Sequence, residues 1–284
     1  MSEKEHPPIQ PDIMRSEIPE QPDPAREARE LLEKPPQGKS EPDTEEKIAS
    51  IRKSLHAEPD NGGSVPQPIE TKPTRPATKI EYFRAVAYEK LIDPLLEKVR
   101  GLITKYIPQD SSVVDIGCGT GALAFRLAKE NGCSVHGVDL ATGKIARAND
   151  RKANANFPKV QFSEADATKL EGISDQQFDC ATMSLFLHSL PENVRHQVLQ
   201  EAMRVAKRIV IADYVTKQPR SFSGLAVKGI ERFAGGEHFQ SFKQFSEGGG
   251  LETLLEKIGL KIVEEQLNPS KTVRVVVVKR QQNG

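Results

Sequence analysis

The chain has no tryptophan, three cysteines among 284 residues, and no aromatic side chain before Tyr82. Cys118, Cys133 and Cys180 stand singly, without the paired spacing of a zinc site or a disulfide framework, so a reducing cytoplasm is the expected compartment. No run of about 18 apolar residues is present to span a bilayer. The leading MSEKEHPPIQPD also has no apolar core of a signal peptide, so neither export nor membrane association is expected. Basic runs are missing too. From Lys79 onward 29 basic residues face 24 acidic ones, a balance that gives no reason to expect nucleic-acid binding and suits small or neutral partner molecules.

The missing aromatics mark a boundary. Residues 1–78 hold 14 of the 20 prolines and 16 acidic against 11 basic residues. Such a segment buries too little apolar surface to offset its ordering entropy, so a disordered tail is expected over 1–78 and one folded domain over 79–284. Two pieces of the tail, PAREARELLEK and TEEKIASIRKSL, have helical spacing but are marginal lengths for an isolated helix. They are where a protein partner would engage the tail, if one does.

What is present after residue 78 is an alternation. EYFRAVAYEKLIDPLLEKVRGLITKYI reads as one or two amphipathic helices. SVVDIG, SVHGVD, KVQFSE, FDCATMS and RIVIAD then read as short strands, separated by helical stretches such as GALAFRLAKEN and PENVRHQVLQEAMRVA. Alternating strands and helices imply right-handed crossovers and a doubly wound, mostly parallel α/β sheet. The rhythm breaks at the C-terminus. There KIVEEQLN and TVRVVVVKR are joined by four residues, too few for a crossover helix, so an antiparallel hairpin is expected.

The densest signal is VVDIGCGTGALAFRLA, a buried strand running through Gly117, Gly119 and Gly121 directly into a helix. Glycines allow close backbone approach to a ligand, and the helix start offers free N–H groups and a positive dipole end. Gly117, Gly119 and Ala122 also satisfy the dinucleotide fingerprint, so an NAD-dependent oxidoreductase uses the same spacing. Asp115, two residues before the first glycine, repels a pyrophosphate and suits an ammonium-bearing amino acid.

With these residues in view, the chain resembles the class I S-adenosylmethionine-dependent methyltransferases of small-molecule type, over roughly Tyr82 to Arg280. DIGCGTG looks like their first motif, VHGVDL like the second strand with its terminal acid, EADATKL like the acidic turn after the third, and FDCATMSLFLHSLP like the fourth strand and its exit. The resemblance implies a Rossmann-like domain with an antiparallel C-terminal strand and S-adenosyl-L-methionine as methyl donor. Gly117, Gly119 and Gly121 would line the methionine and ribose, with Asp115 near the amino group. Asp139 would accept from both ribose hydroxyls and Leu140 would pack on adenine. Asp166 and Ala167 would meet the adenine edge, and Ser184 the methionine. Plainer duties stand beside these: Asp115 as a loop anchor, Asp139 as a turn or cap before the helix near Thr142, Asp166 as an ordinary turn residue.

Methyl transfer needs positioning more than a fixed catalytic side chain, and a base only where the acceptor must lose a proton. His188, Asp213, Tyr214 and His238 are the candidates, with packing or loop-capping as their alternative duty. The long segment Thr216 to Gly250 is expected to be loop-rich. Its Phe233, Phe239, Phe242 and Phe245 would either roof a pocket for a small-molecule acceptor or close a satellite core. No metal is expected. A non-catalytic module that keeps only the donor site remains an alternative.

Overall fold

The computed structural model describes residues 75–91, 96–155, 157–234 and 236–280. Apart from residues 75–78, the expected tail, including its two candidate helices, lies outside them.

Two helices, α1 (Lys79–Leu91) and α2 (Glu97–Thr104), precede β1 (Ser112–Ile116), α3 (Ala122–Asn131), β2 (Ser134–Asp139), α4 (Thr142–Ala153) and β3 (Val160–Glu164). There follow β4 (Phe178–Ser184), a single 3-10 turn (Leu187–Ser189), α5 (Glu192–Val205) and β5 (Ala206–Tyr214). The chain closes with α6 (Phe222–Ala234), α7 (Gly236–Glu247), α8 (Gly250–Lys257), β6 (Leu260–Leu267) and β7 (Val273–Arg280). Among the described residues, no helix is long and apolar enough to cross a membrane.

The seven strands form one sheet in the order β3-β2-β1-β4-β5-β7-β6. β1 to β5 pair in parallel, and β7 runs antiparallel to both β5 and β6, which is the expected C-terminal hairpin. Central strands are buried on both faces, and their apolar runs, such as Val113 and Val114 in β1 and Ile209 to Ala212 in β5, supply both cores. Ile209 and Ile211 join one core with Val198, Leu199 and Ala202 of α5 and Leu251 and Leu255 of α8. Val210 and Ala212 join the other core with Ile103 of α2 and Leu123 and Leu127 of α3. The edge strand β6 is mostly exposed, and its Glu264 and Glu265 suit an edge that must not recruit another strand.

Strand order reverses between β1 and β4, which opens a crevice at their carboxyl ends. The segment after β5 differs from expectation. Phe222–Ala234 and Gly236–Glu247 form two helices, α6 and α7, in place of a loop-rich stretch. Gly224, Gly229 and Gly236 lower helix propensity there, and packing of Val227, Phe242 and Phe245 into the cores outweighs that cost.

Candidate active site

β1 ends at Ile116 and the chain turns back through three glycines with positive φ: Gly117 at +73°, Gly119 at +59° and Gly121 at +80°. The turn is anchored to β2, since the N–H groups of Gly117 and Cys118 donate to the Val138 carbonyl at 2.8 and 3.0 Å. The three glycines are not equivalent. A Cβ on Gly117 would lie 2.4 Å from the Phe186 ring, and one on Gly121 2.3 Å from the Phe162 ring, whereas one on Gly119 would meet nothing within 4 Å. Of the three expected to line the donor, Gly119 is the one facing open space. Gly121 also starts α3 without a side-chain cap, which leaves first-turn N–H groups for a ligand.

Asp139, the last residue of β2, is half-buried and carries two backbone bonds. Its Oδ2 accepts from the Gly119 N–H at 2.9 Å and its Oδ1 from the Ala141 N–H at 2.8 Å. The second bond is an Asx turn leading into α4 and the first ties the glycine loop to β2. The carboxylate is thus structural in this loop, and each oxygen retains a lone pair for a hydroxyl donor. Leu140 beside it is 67% exposed, an apolar face left uncovered at the sheet edge.

Asp115 is buried. Its Oδ1 accepts from the Thr182 hydroxyl at 2.7 Å, while Oδ2 has no hydrogen-bond partner among the described residues. Burial pushes its carboxyl up to about 7. Asp166 is exposed and caps its own turn through the Thr168 N–H and hydroxyl at 2.9 and 2.7 Å, so the plain turn duty is realised. Ala167 packs against the core, and Ser184 at the end of β4 is half-buried.

The acceptor-side candidates converge, but below the surface. β4 and β5 pair with Ser184 opposite Ala212. After β4 the chain turns at Leu185, with φ at +51°, and the 3-10 turn sets His188 over Asp213. His188 Nδ1 lies 2.6 Å from Asp213 Oδ1, and the His188 backbone N–H donates to Oδ2 at 3.2 Å. Tyr214 donates its own N–H to Asp213 Oδ1. All three are candidates for the acceptor side, yet His188 is 2% exposed, Asp213 0% and Tyr214 6%, because α6 and α7 cover the ends of β4 and β5.

Glu231 of α6 completes the group, and the sequence reading missed it. Tyr214 donates its hydroxyl to Glu231 Oε1 at 2.8 Å, and Glu231 Oε2 lies 2.7 Å from His238 Nε2 and 3.4 Å from His188 Nε2. His238, a third exposed, is the open side of the cluster. Burial lowers the His188 pKa, but the Asp213 and Glu231 carboxylates more than offset this and lift it to about 9. For Glu231 burial acts upward, and the two imidazoles hold it down to about 2. One signal for Glu231 was available. Gly224, Val227 and Glu231 fall on one helical stripe, and a carboxylate on a buried stripe needs partners.

Phe242 stands edge-on to both the His188 and Tyr214 rings, and Phe239 packs beside it. Phe245 faces the other core, under the Arg195 guanidinium. Buried Arg195 donates to the Leu187 and Ser241 carbonyls at 3.0 and 2.7 Å, fixing α7 over the His188 turn. The Phe233 side chain lies outside the described residues.

Residues 113–208 match the family described as "Methyltransferase domain". The 27-O-demethylrifamycin SV methyltransferase of Amycolatopsis mediterranei is 30% identical over 131 residues, 45% of this chain and 46% of that protein. The methyltransferase GfsG of Streptomyces halstedii is 29% identical over 196 residues, 66% of this chain and 65% of that protein. The chain spans less than two thirds of the length of these curated relatives. A SAM-dependent methyltransferase from Aquifex aeolicus shares the fold, with a TM-score of 0.53 at 19% identity over 68% of this chain and 97% of that one. The glycine loop on a strand-end aspartate, the strand order and these likenesses agree: residues 113–208 match a methyltransferase domain, and the chain has the fold of the S-adenosylmethionine-dependent methyltransferases.

Proposed function

We propose that the protein transfers a methyl group from S-adenosyl-L-methionine to a small-molecule acceptor that carries a hydroxyl at the reacting atom. The observation that carries the donor half is Gly119. Its backbone is in a left-handed conformation, its N–H is held on Asp139, and the space beside its Cα is open. A ligand that lies flat on a backbone needs such a surface.

The donor fits the neighbouring chemistry. Asp139 has acceptor capacity left for ribose hydroxyls, exposed Leu140 offers an apolar face to adenine, and the unpartnered Oδ2 of Asp115 is an acceptor for an ammonium. Asp166, Ala167 and Ser184 border the same crevice in this reading. A dinucleotide would set pyrophosphate charge against the Asp115 and Asp139 carboxyls, which argues against the oxidoreductase alternative. When bound, the donor supplies a methyl group on a positively charged sulfur. The protein's part is to hold the acceptor in line with it and keep water out.

His188, Asp213, Tyr214, Glu231 and His238 form the polar end of the acceptor pocket, beneath α6 and α7, with Phe239 and Phe242 as its apolar wall. Their burial beside the β4 and β5 ends supports an acceptor that must lose a proton, because such chemistry needs titratable groups in a dry site. The name of the Amycolatopsis relative is that of an O-methyltransferase, which agrees with a hydroxyl acceptor. Incubation with isotopically labelled donor and a panel of hydroxylated metabolites tests the reading. Label is expected in a hydroxyl-bearing product. Label found solely on carbon or nitrogen acceptors overturns the hydroxyl assignment.

A further inference from the structure

We infer that His188, Glu231 and His238 form a site for one divalent transition-metal ion of the zinc class, open on one side to the acceptor. The inference rests on the pocket assignment above.

Three elements deliver one ligand atom each: the turn after β4, α6 and α7. Nε2 of His188, a carboxylate oxygen of Glu231 and a ring nitrogen of His238 all lie within 4.8 Å of one another. A tetrahedral zinc with bonds of about 2.1 Å has ligand–ligand edges of about 3.4 Å. The His188–Glu231 separation is already 3.4 Å, and the His238–Glu231 separation of 2.7 Å must widen by several tenths of an ångström. His238 is the ring free to make that adjustment, being a third exposed, and its open side is the route of entry.

The Glu231 oxygen is the second observation. Oε2 is fully buried and no hydrogen bond of proper alignment reaches it, although two imidazole nitrogens approach.

The outer partners are those a metal site needs. The far nitrogen of His188 is fixed on Asp213 at 2.6 Å, the carboxylate–histidine arrangement that orients an imidazole toward a metal. The other Glu231 oxygen accepts from Tyr214 at 2.8 Å, which leaves Oε2 as the ligand. Two imidazoles and one carboxylate favour zinc, cobalt, iron or manganese over magnesium or calcium, which prefer oxygen alone. Three protein ligands leave a position free, the pattern of a catalytic metal and not a structural one. An acceptor hydroxyl bound there would lose its proton to a solvent base and keep the electron pair on oxygen, activated by the cation.

The test uses the full chain after chelator treatment. Cobalt(II) is titrated in while ligand-field absorption in the visible is recorded, and S-adenosylhomocysteine binding is measured on the same preparation. One cobalt per chain with a tetrahedral or five-coordinate spectrum is expected. Glu231→Gln and His238→Ala should each weaken it at least about tenfold, and Tyr214→Phe, which keeps the ring, by about 10- to 100-fold. His238→Ala alters a partly exposed side chain, so it serves if Glu231→Gln fails to fold. No cobalt bound by the parent chain, or binding unchanged in both ligand variants, overturns the site. If S-adenosylhomocysteine still binds in that case, the methyltransferase reading stands without the metal. Cobalt bound in a chain that does not take S-adenosylhomocysteine has the opposite meaning.

Discussion

Alanine at Gly119 and at Gly121 should have opposite consequences, although the two residues are neighbours in one loop and both have positive φ. A left-handed backbone costs a non-glycine residue about 1–2 kcal/mol, and both variants incur that cost. At Gly119 the new methyl meets nothing within 4 Å, so strain is the whole penalty. For a domain of this size that is a fall in Tm of roughly 2–8 °C. At Gly121 the methyl would be 2.3 Å from the Phe162 ring and 3.2 Å from Phe125. Those rings stand edge-on at 5.3 Å, and Phe157 packs 5.1 Å from Phe125, so Phe162 cannot swing aside without disturbing the group. Overpacking adds about 1–3 kcal/mol, which brings the loss for Gly121→Ala to about 2–5 kcal/mol. Binding should rank them in reverse of stability. The Gly119 methyl projects into the space assigned to the donor and should weaken S-adenosylhomocysteine at least tenfold, about 1.4 kcal/mol. Once folded, Gly121→Ala should bind closer to normally. Thermal melts with and without S-adenosylhomocysteine read both quantities. If Gly119→Ala binds as tightly as the parent chain, the open space beside Gly119 is not the donor's and the assignment fails.

Three further outcomes follow from the geometry. Asp139→Ala should weaken S-adenosylhomocysteine by roughly 10- to 100-fold in calorimetry, and loss of its bonds to the Gly119 and Ala141 N–H groups should also cost about 1–3 kcal/mol without ligand; unchanged affinity would refute the ribose role. His136 is buried against Ser163 at 2.7 Å, and burial, with a lesser effect of Lys152, holds its pKa down to about 4. Its unfolded pKa is near 6.5, so the contribution is intact above that pH and is lost as pH falls toward 4. Between pH 7 and pH 5 the parent should lose about 2 kcal/mol more than His136→Gln in urea denaturation, and parallel losses would contradict this. Glu231→Ala should lower stability by about 1–3 kcal/mol by stripping partners from buried His188 and Tyr214, and a neutral effect in the same assay would show that the cluster opens to water.

The glycine loop and its strand-end aspartate were legible because their signals are local. A strand, three glycines and a helix follow one another within a few residues, and one helix and one strand later Asp139 arrives at the same sheet edge. What the letters did not disclose was the division of labour inside the loop. Phe186 and Phe162 close two of the glycines, one ring from the turn after β4 and the other from within β3. His188 and Asp213 were legible as candidates, but their pairing depends on the β4–β5 register, which sets Ser184 opposite Ala212. Glu231 was hidden by the glycine-rich composition of its segment, which reads as loop when taken alone. Only as a helix does that segment turn Glu231 inward beside Val227, and tertiary burial, not local propensity, makes it a helix.

The most direct measurement is isothermal titration of the full chain with S-adenosylhomocysteine and, in parallel, with NAD. Asp115, Asp139 and the open face of Gly119 together require one S-adenosylhomocysteine per chain and no measurable heat from NAD. Tighter binding of NAD, or no binding of S-adenosylhomocysteine, would contradict the donor site on which every other assignment depends.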